Sequence, residues 1–329
     1  MQFCLPTASR KGIPRDAAVS SCAMATGSFG VPGDAIRLES NDDRVFRLAR
    51  KLWDPIPVET RERRAIWVRV AVRPGIPSVP HPERRLAWES AETEYAASVS
   101  GVLRVRVDVG AARVDAEVAG GLVDDDPSFA ARALLEAPAA ILLCHRGYAA
   151  LHAGAVVGPR GAVVLRGAAG SGKSTLVAAA WRAGLGVLGD ESLLVSREDA
   201  DLLAASVRDL TLLPDAERLL GLEGETEEAF AGGEPKRRVD LFHGATPGQR
   251  VSRRAATILL GPRTPGPARL VSLGREEFRE AFRDGEIPQE TMGGDSTAVV
   301  EAWAGRESWR LDGAEDLAGA LSILRGLAA

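Results

Sequence analysis

The chain has 329 residues, a net charge of −4 and 45% apolar residues, enough for two cored domains and too evenly mixed in sign for a nucleic-acid or anionic-membrane surface. Cys4, Cys22 and Cys144 show no paired spacing, which excludes a disulfide framework or a zinc site and fits a reducing cytoplasm. No apolar run approaches the roughly 18 residues that span a bilayer, and no apolar secretory stretch opens the chain. The expectation is a cytoplasmic protein with no membrane partner.

Residues 1–34 are rich in Gly, Ser, Ala and Pro without a period and read as disordered, with Met24 offering a second start. From Ala35 the patterning changes. Ile36–Glu39 reads as a strand, and Asp42–Trp53 as a helix with Val45, Leu48, Ala49 and Leu52 on one face. Strands follow at Ala65–Val72, Tyr95–Val99, Val102–Val107 and Arg113–Val118, separated by Gly-, Pro- and charge-rich connections. Period two with turns between predicts antiparallel pairing, so a small β-rich α+β domain is placed at 35–125. Trp67, Trp88 and Tyr95 are expected in its core rather than in a site. A connecting segment at 126–147 opens on Asp126-Pro127 as a helix through Leu142, which Pro138 should kink or split.

Tyr148–Val157 reads as one strand, and Pro159-Arg160-Gly161 as the turn into a second, Gly161–Arg166. Next comes Gly167-Ala168-Ala169-Gly170-Ser171-Gly172-Lys173-Ser174-Thr175, which fits the phosphate-binding pattern G-x-x-x-x-G-K-[ST] at every fixed position. A helix through Arg182 follows it, so the loop has the strand-and-helix frame its chemistry needs. Glycines let the backbone turn its N–H groups onto phosphate oxygens, and the helix adds its positive end. Lys173 would reach the β/γ-phosphates of ATP and the Ser174 hydroxyl would ligate Mg²⁺. Lysine occurs only at Lys11, Lys51, Lys173 and Lys236 in an arginine-rich chain, so its place in the loop points to a need for a compact ammonium.

Gly184 stops the helix, and Val187–Glu191 reads as a strand closing on two acids. Further strands are expected at Ser192–Val195, Leu202–Val207, Arg237–Leu241, Ala255–Leu260, Ala268–Leu273 and Trp309–Leu311. Helices are expected at Glu276–Arg283, Ser296–Ala304 and Ala314–Leu327, and polar loops at Gly221–Gly233 and Gly244–Arg250 could act as lids. Consecutive residues at a strand end diverge, so of Asp190 and Glu191 one carboxylate could hold Mg²⁺ while the other faces an incoming hydroxyl. His152 lies on the strand beside the loop strand, where it could hydrogen-bond an acid or belong to the core.

Together, His152-Ala153 on a strand, the glycine loop, a short helix and an acidic pair resemble the C-terminal domain of bacterial HPr kinase/phosphorylase. They are more similar still to the HPr-kinase-like proteins of peptide natural-product clusters, such as lasso-peptide kinases. The likeness covers about 148–329 and is firmest over His152–Glu191. It implies an α/β fold: a phosphate-loop domain with the mixed sheet and helices shared by HPr kinase and ATP-dependent phosphoenolpyruvate carboxykinase, following the smaller β-rich domain. It also implies an ATP- and Mg²⁺-dependent kinase acting on a serine hydroxyl of a peptide or small protein. Asp190 would be the base, with His152 beside it and Lys173 on phosphate, and Glu191 would share the metal with Ser174. Lys236, Arg237 and Arg238 fall where related proteins carry basic residues, and Arg208 lies at a comparable strand end; these could neutralise the transferring phosphate. A non-catalytic ATP-binding adaptor and a small-molecule kinase stay open as rivals, as does a homo-oligomeric state.

Overall fold

A computed structural model describes residues 23–31, 34–53, 65–80, 83–84, 86–205, 209–223, 226–231, 234–240, 251–262, 264–283, 295–313 and 315–329. It divides into two compact units, Met1–Arg146 and Gly147–Ala329. Both mix helices with sheets whose strands run in both senses, so the chain is of the mixed α/β class.

The first unit is built on seven strands: β1 (Ala25–Val31), β2 (Asp34–Ser40), β3 (Ile66–Arg73), β4 (Ala87–Ala91), β5 (Glu94–Val99), β6 (Leu103–Asp108) and β7 (Arg113–Ala119). Their order is β1-β2-β3-β7-β6-β5-β4. Two junctions, β2 with β3 and β3 with β7, are parallel, where alternation alone predicted antiparallel pairing. The alternation itself holds: Val105, Val107, Val114, Ala116 and Val118 are buried while the residues between them are not. Strand β1 occupies a stretch that composition marked as disordered. Backbone pairing with β2 along its whole length stabilises this edge strand despite its small residues. Gly27 also gives helix α1 (Asp43–Trp53) room, because an added Cβ would lie 3.1 Å from the Phe46 ring. Trp88 and Tyr95 are buried as expected, but Trp67 is 41% exposed on the open face, with the Arg37 guanidinium 5.2 Å from its ring centre.

Helices α2 (Gly120–Asp125), α3 (Pro127–Ala131) and α4 (Ala137–His145) complete this unit. Between α3 and α4, Arg132–Glu136 forms one turn of π-helix, just ahead of Pro138. Proline has no N–H and its ring presses on the carbonyl four residues back; widening the preceding turn relieves both without a break. The helical run is thus not split at Pro138, and its irregularity is the π-turn just ahead of the proline. Pro127–His145 is also long and apolar enough to cross a membrane by length and composition, but Arg132 and Glu136 interrupt its apolar run. Its Leu134, Leu135 and Leu142 are buried in the unit.

The second unit contains β8 (Tyr148–Leu151), β9 (Gly154–Gly158), β10 (Gly161–Arg166), α5 (Lys173–Arg182), β11 (Gly186–Gly189), β12 (Leu193–Ser196), β13 (Leu202–Ala204), β14 (Asp209–Leu212) and α6 (Pro214–Leu220). It continues with β15 (Glu227–Ala231), β16 (Glu234–Asp240), β17 (Val251–Leu260), β18 (Arg269–Ser272), α7 (Arg275–Arg283), α8 (Thr297–Trp303), β19 (Ser308–Asp312) and α9 (Leu317–Ala328). Nine strands form the main sheet, ordered β11-β9-β10-β17-β13-β12-β8, with β19 beside β17 and β18 beside β19. Strands β14, β16 and β15 form a smaller sheet.

Strand β10 shows why helices cover both faces of the main sheet. Val163 and Leu165 join a core with Leu176 and Val177 of α5 and Leu324 of α9. Ala162 and Val164 join the opposite core, with Phe278 and Phe282 of α7 and Trp303 of α8. The expected single strand over Tyr148–Val157 is two. It breaks at His152-Ala153, after which β8 pairs with β12 while β9 pairs with β10 and β11. Gly154 opens β9 where α5 passes so close that a Cβ would stand 2.8 Å from Val177 Cγ2. The expected loop Gly221–Gly233 contains strand β15, and Gly244–Arg250 lies outside the described residues.

Candidate functional site

The parallel strands β10 and β17 set the site's base. Arg166 at the end of β10 is fully buried, donating from Nε to the Phe282 carbonyl (2.8 Å), with its guanidinium 3.9 Å from the Phe282 ring centre. The last residue before the glycine loop is thereby pinned to α7. Gly167 lies close against the end of β17, since a Cβ there would be 2.9 Å from the Leu260 carbonyl. Gly170 and Gly172 take φ of +78° and +97°, conformations that glycine enters without a steric penalty. An added Cβ on either meets nothing within 4 Å, so the space over the loop is open.

Helix α5 starts at Lys173, and no side chain caps it. Its first N–H groups carry the partial positive charge of a helix start. Lys173 is buried, its Nζ donating to the carbonyls of Gly167 (2.7 Å) and Ala168 (3.1 Å). The ammonium is thus tied to the loop it belongs to.

Asp190, one residue past β11, is 1% exposed. Burial first, and the neighbouring charge of Glu191 second, push its carboxyl up to about 7. The Ser174 hydroxyl, the Lys173 charge and the Thr211 backbone N–H face it and pull the other way. The Ser174 and Thr211 contacts fall short of full hydrogen-bond geometry, so both carboxylate oxygens are buried without a complete partner. Gly154 lies beside this group: a Cβ there would be in ordinary contact with Asp190 Oδ1, at 3.5 Å. Asp190, Lys173 and Ser174, singled out in the sequence, are brought together.

His152 reaches the acidic pair by another route. Its Nδ1 lies 3.1 Å from the Glu191 carbonyl oxygen. A carbonyl only accepts, so Nδ1 carries the proton and the ring holds the backbone of the pair. Among the basic candidates, Arg237 donates from Nε to Glu217 (3.1 Å) on α6, which also receives the Thr226 hydroxyl. Arg238 sits across from Thr211 in the β14–β16 register and Lys236 across from Ala229. Arg208 lies outside the described residues. Sequence reasoning missed Thr211 and Arg166. The position of Arg166 immediately before the loop was a usable signal, whereas nothing local marks Thr211.

Among the described residues no three His, Cys, Asp or Glu side chains cluster as a preformed metal cage. Mg²⁺ does not require one: it keeps several waters and takes one or two carboxylates plus substrate phosphates. The incompletely bonded buried oxygens of Asp190, beside the Ser174 hydroxyl and the Glu191 charge, suit such a hard cation. The open loop with its uncapped helix start suits a polyphosphate.

No protein-family model and no curated protein matches the chain. Among solved structures it aligns with the Hpr(Ser) kinase/phosphatase from Coxiella burnetii at 18% identity, over 38% of this chain and 77% of that one, with a TM-score of 0.23.

Proposed function

We propose that residues 147–329 are an ATP- and Mg²⁺-dependent kinase domain of the HPr-kinase type, transferring the γ-phosphoryl group to a serine hydroxyl of a peptide or small protein in the cytoplasm. The observation that carries this reading is Asp190: a buried, incompletely bonded carboxyl facing the lysine and hydroxyl of a glycine loop. Burying a carboxylate in this way costs free energy. A transferred proton or a cation relieves that cost, and phosphoryl transfer involves both.

In this reading the loop amides and Lys173 bind the β- and γ-phosphates, with Lys173 exchanging the Gly167 and Ala168 carbonyls for phosphate oxygens. Ser174 and Glu191 would hold Mg²⁺, which would neutralise charge on the phosphate oxygens when bound. Asp190 takes the acceptor's hydroxyl proton while the hydroxyl oxygen bonds to Pγ and the bond to the β–γ bridging oxygen breaks, releasing ADP. A carboxyl poised near neutrality suits a base working at neutral pH. His152 positions the pair through the Glu191 carbonyl, and Lys236 and Arg238 on β16 would neutralise the moving phosphoryl group.

Incubating the protein with ATP, Mg²⁺ and serine-containing peptides, with mass spectrometry of the peptides, tests this. Lys173→Ala and Asp190→Asn should each abolish a gain of one phosphate. Glu191→Gln should raise the Mg²⁺ concentration that transfer requires. Transfer that persists in Asp190→Asn removes the base, and tight ATP binding with neither transfer nor hydrolysis converts the reading to an adaptor.

A further inference from the structure

A hollow opens against the glycine loop, with about 30 Å³ of free space. Leu176 of α5 and Leu260 of β17 are buried beneath it, while Leu219 of α6 and Leu317 of α9 stand at its edge, with Thr175 and Glu315 adding polar groups. Leu219 is 61% exposed, an apolar side chain left in water next to a polar loop. Its helix buries Ala216 and Glu217 instead. Four leucines thus converge beside Thr175, which belongs both to the glycine loop and to the hollow.

We propose that this hollow seats the nucleoside, the base lying flat against Leu219 and Leu317 and the ribose hydroxyls donating to the Glu315 carboxylate. The proposal rests on reading the glycine loop as a nucleotide phosphate site. The free volume holds about one water, so the base covers the hollow rather than being engulfed by it. Leucine side chains contact the face of a ring and not its donor and acceptor edge. ATP and GTP should therefore bind with affinities within a few-fold of each other. The carboxylate only accepts hydrogen bonds, which favours the ribose hydroxyl groups as its partners.

Calorimetric titration of the full chain with ATP, GTP and inorganic tripolyphosphate, each with Mg²⁺, separates this proposal from its premise. The wild type should bind ATP about tenfold or more tightly than tripolyphosphate, and Leu219→Asp should remove most of that advantage while leaving tripolyphosphate binding within about twofold. Leu317→Ser should act in the same direction, and Glu315→Gln should weaken ATP but not 2′,3′-dideoxy-ATP. Equal binding of ATP and tripolyphosphate by the wild type, or an ATP advantage unchanged in both leucine variants, overturns the proposal and leaves the loop reading standing. Failure of all three ligands to bind overturns both.

Discussion

The Asp190 carboxyl makes a prediction separable from catalysis. Its folded-state value lies near 7, above the ordinary carboxylate value of 3.8. Between those two values the folded chain holds a proton that the unfolded chain has released, so this group's contribution to stability falls as pH rises from about 4 to about 7. Asp190→Asn removes the ionisation, and at about 1.4 kcal/mol per pK unit its stabilising effect should be roughly 2–3 kcal/mol larger at pH 8 than at pH 5. Urea denaturation of the metal-free protein at both values measures this, and equal effects at the two pH values would sink it. The same substitution should abolish transfer, so stability and activity would move in opposite directions. Lys173, Ser174 and Asp190 were legible in the sequence because a fixed motif and a strand end place them. The bond from His152 to the Glu191 carbonyl was not, because it depends on where β8 ends and β9 begins, which the sheet decides. Trp67 was misjudged for a related reason: alternation places it on one face of β3 but does not say which face the helices cover.

At the scale of elements, Arg237 illustrates the difference between a basic residue near a site and one in it. Its Nε bonds to Glu217, whose side chain is 10% exposed, so the pair ties β16 to α6. Arg237→Ala leaves that carboxylate with the Thr226 hydroxyl but without its cation, and should cost about 1–3 kcal/mol of stability. Lys236→Ala should leave stability close to wild type. Denaturation midpoints compared with transfer rates decide the matter: an Arg237→Ala protein of wild-type stability that no longer transfers phosphate would move Arg237 into the site. Elements with a clear period, such as β10, β17, α5 and α7, were readable from residue spacing alone. Strands β1, β14 and β15 and helix α6 were not, being short or made of small and polar residues that pairing, rather than pattern, holds in place.

Over the whole molecule, the residues assigned to the site lie within Gly147–Ala329, the second of the two compact units. A chain of residues 147–329 should therefore fold and bind ATP with a Kd within about threefold of the full chain. A folded fragment that fails to bind would show that residues 1–146 complete the site. The parallel junctions of the first sheet were not legible in the sequence, since they join segments distant in sequence.

The resting position of Lys173 sets the thermodynamic character of ligand capture. Its ammonium already has internal ligands, the Gly167 and Ala168 carbonyls. Nucleotide arrival is then a substitution reaction within the loop, one set of oxygens replacing another around the same nitrogen. The Lys173 contribution to binding enthalpy is the small difference between the two sets, and its absence should free the loop backbone as well as remove a charge.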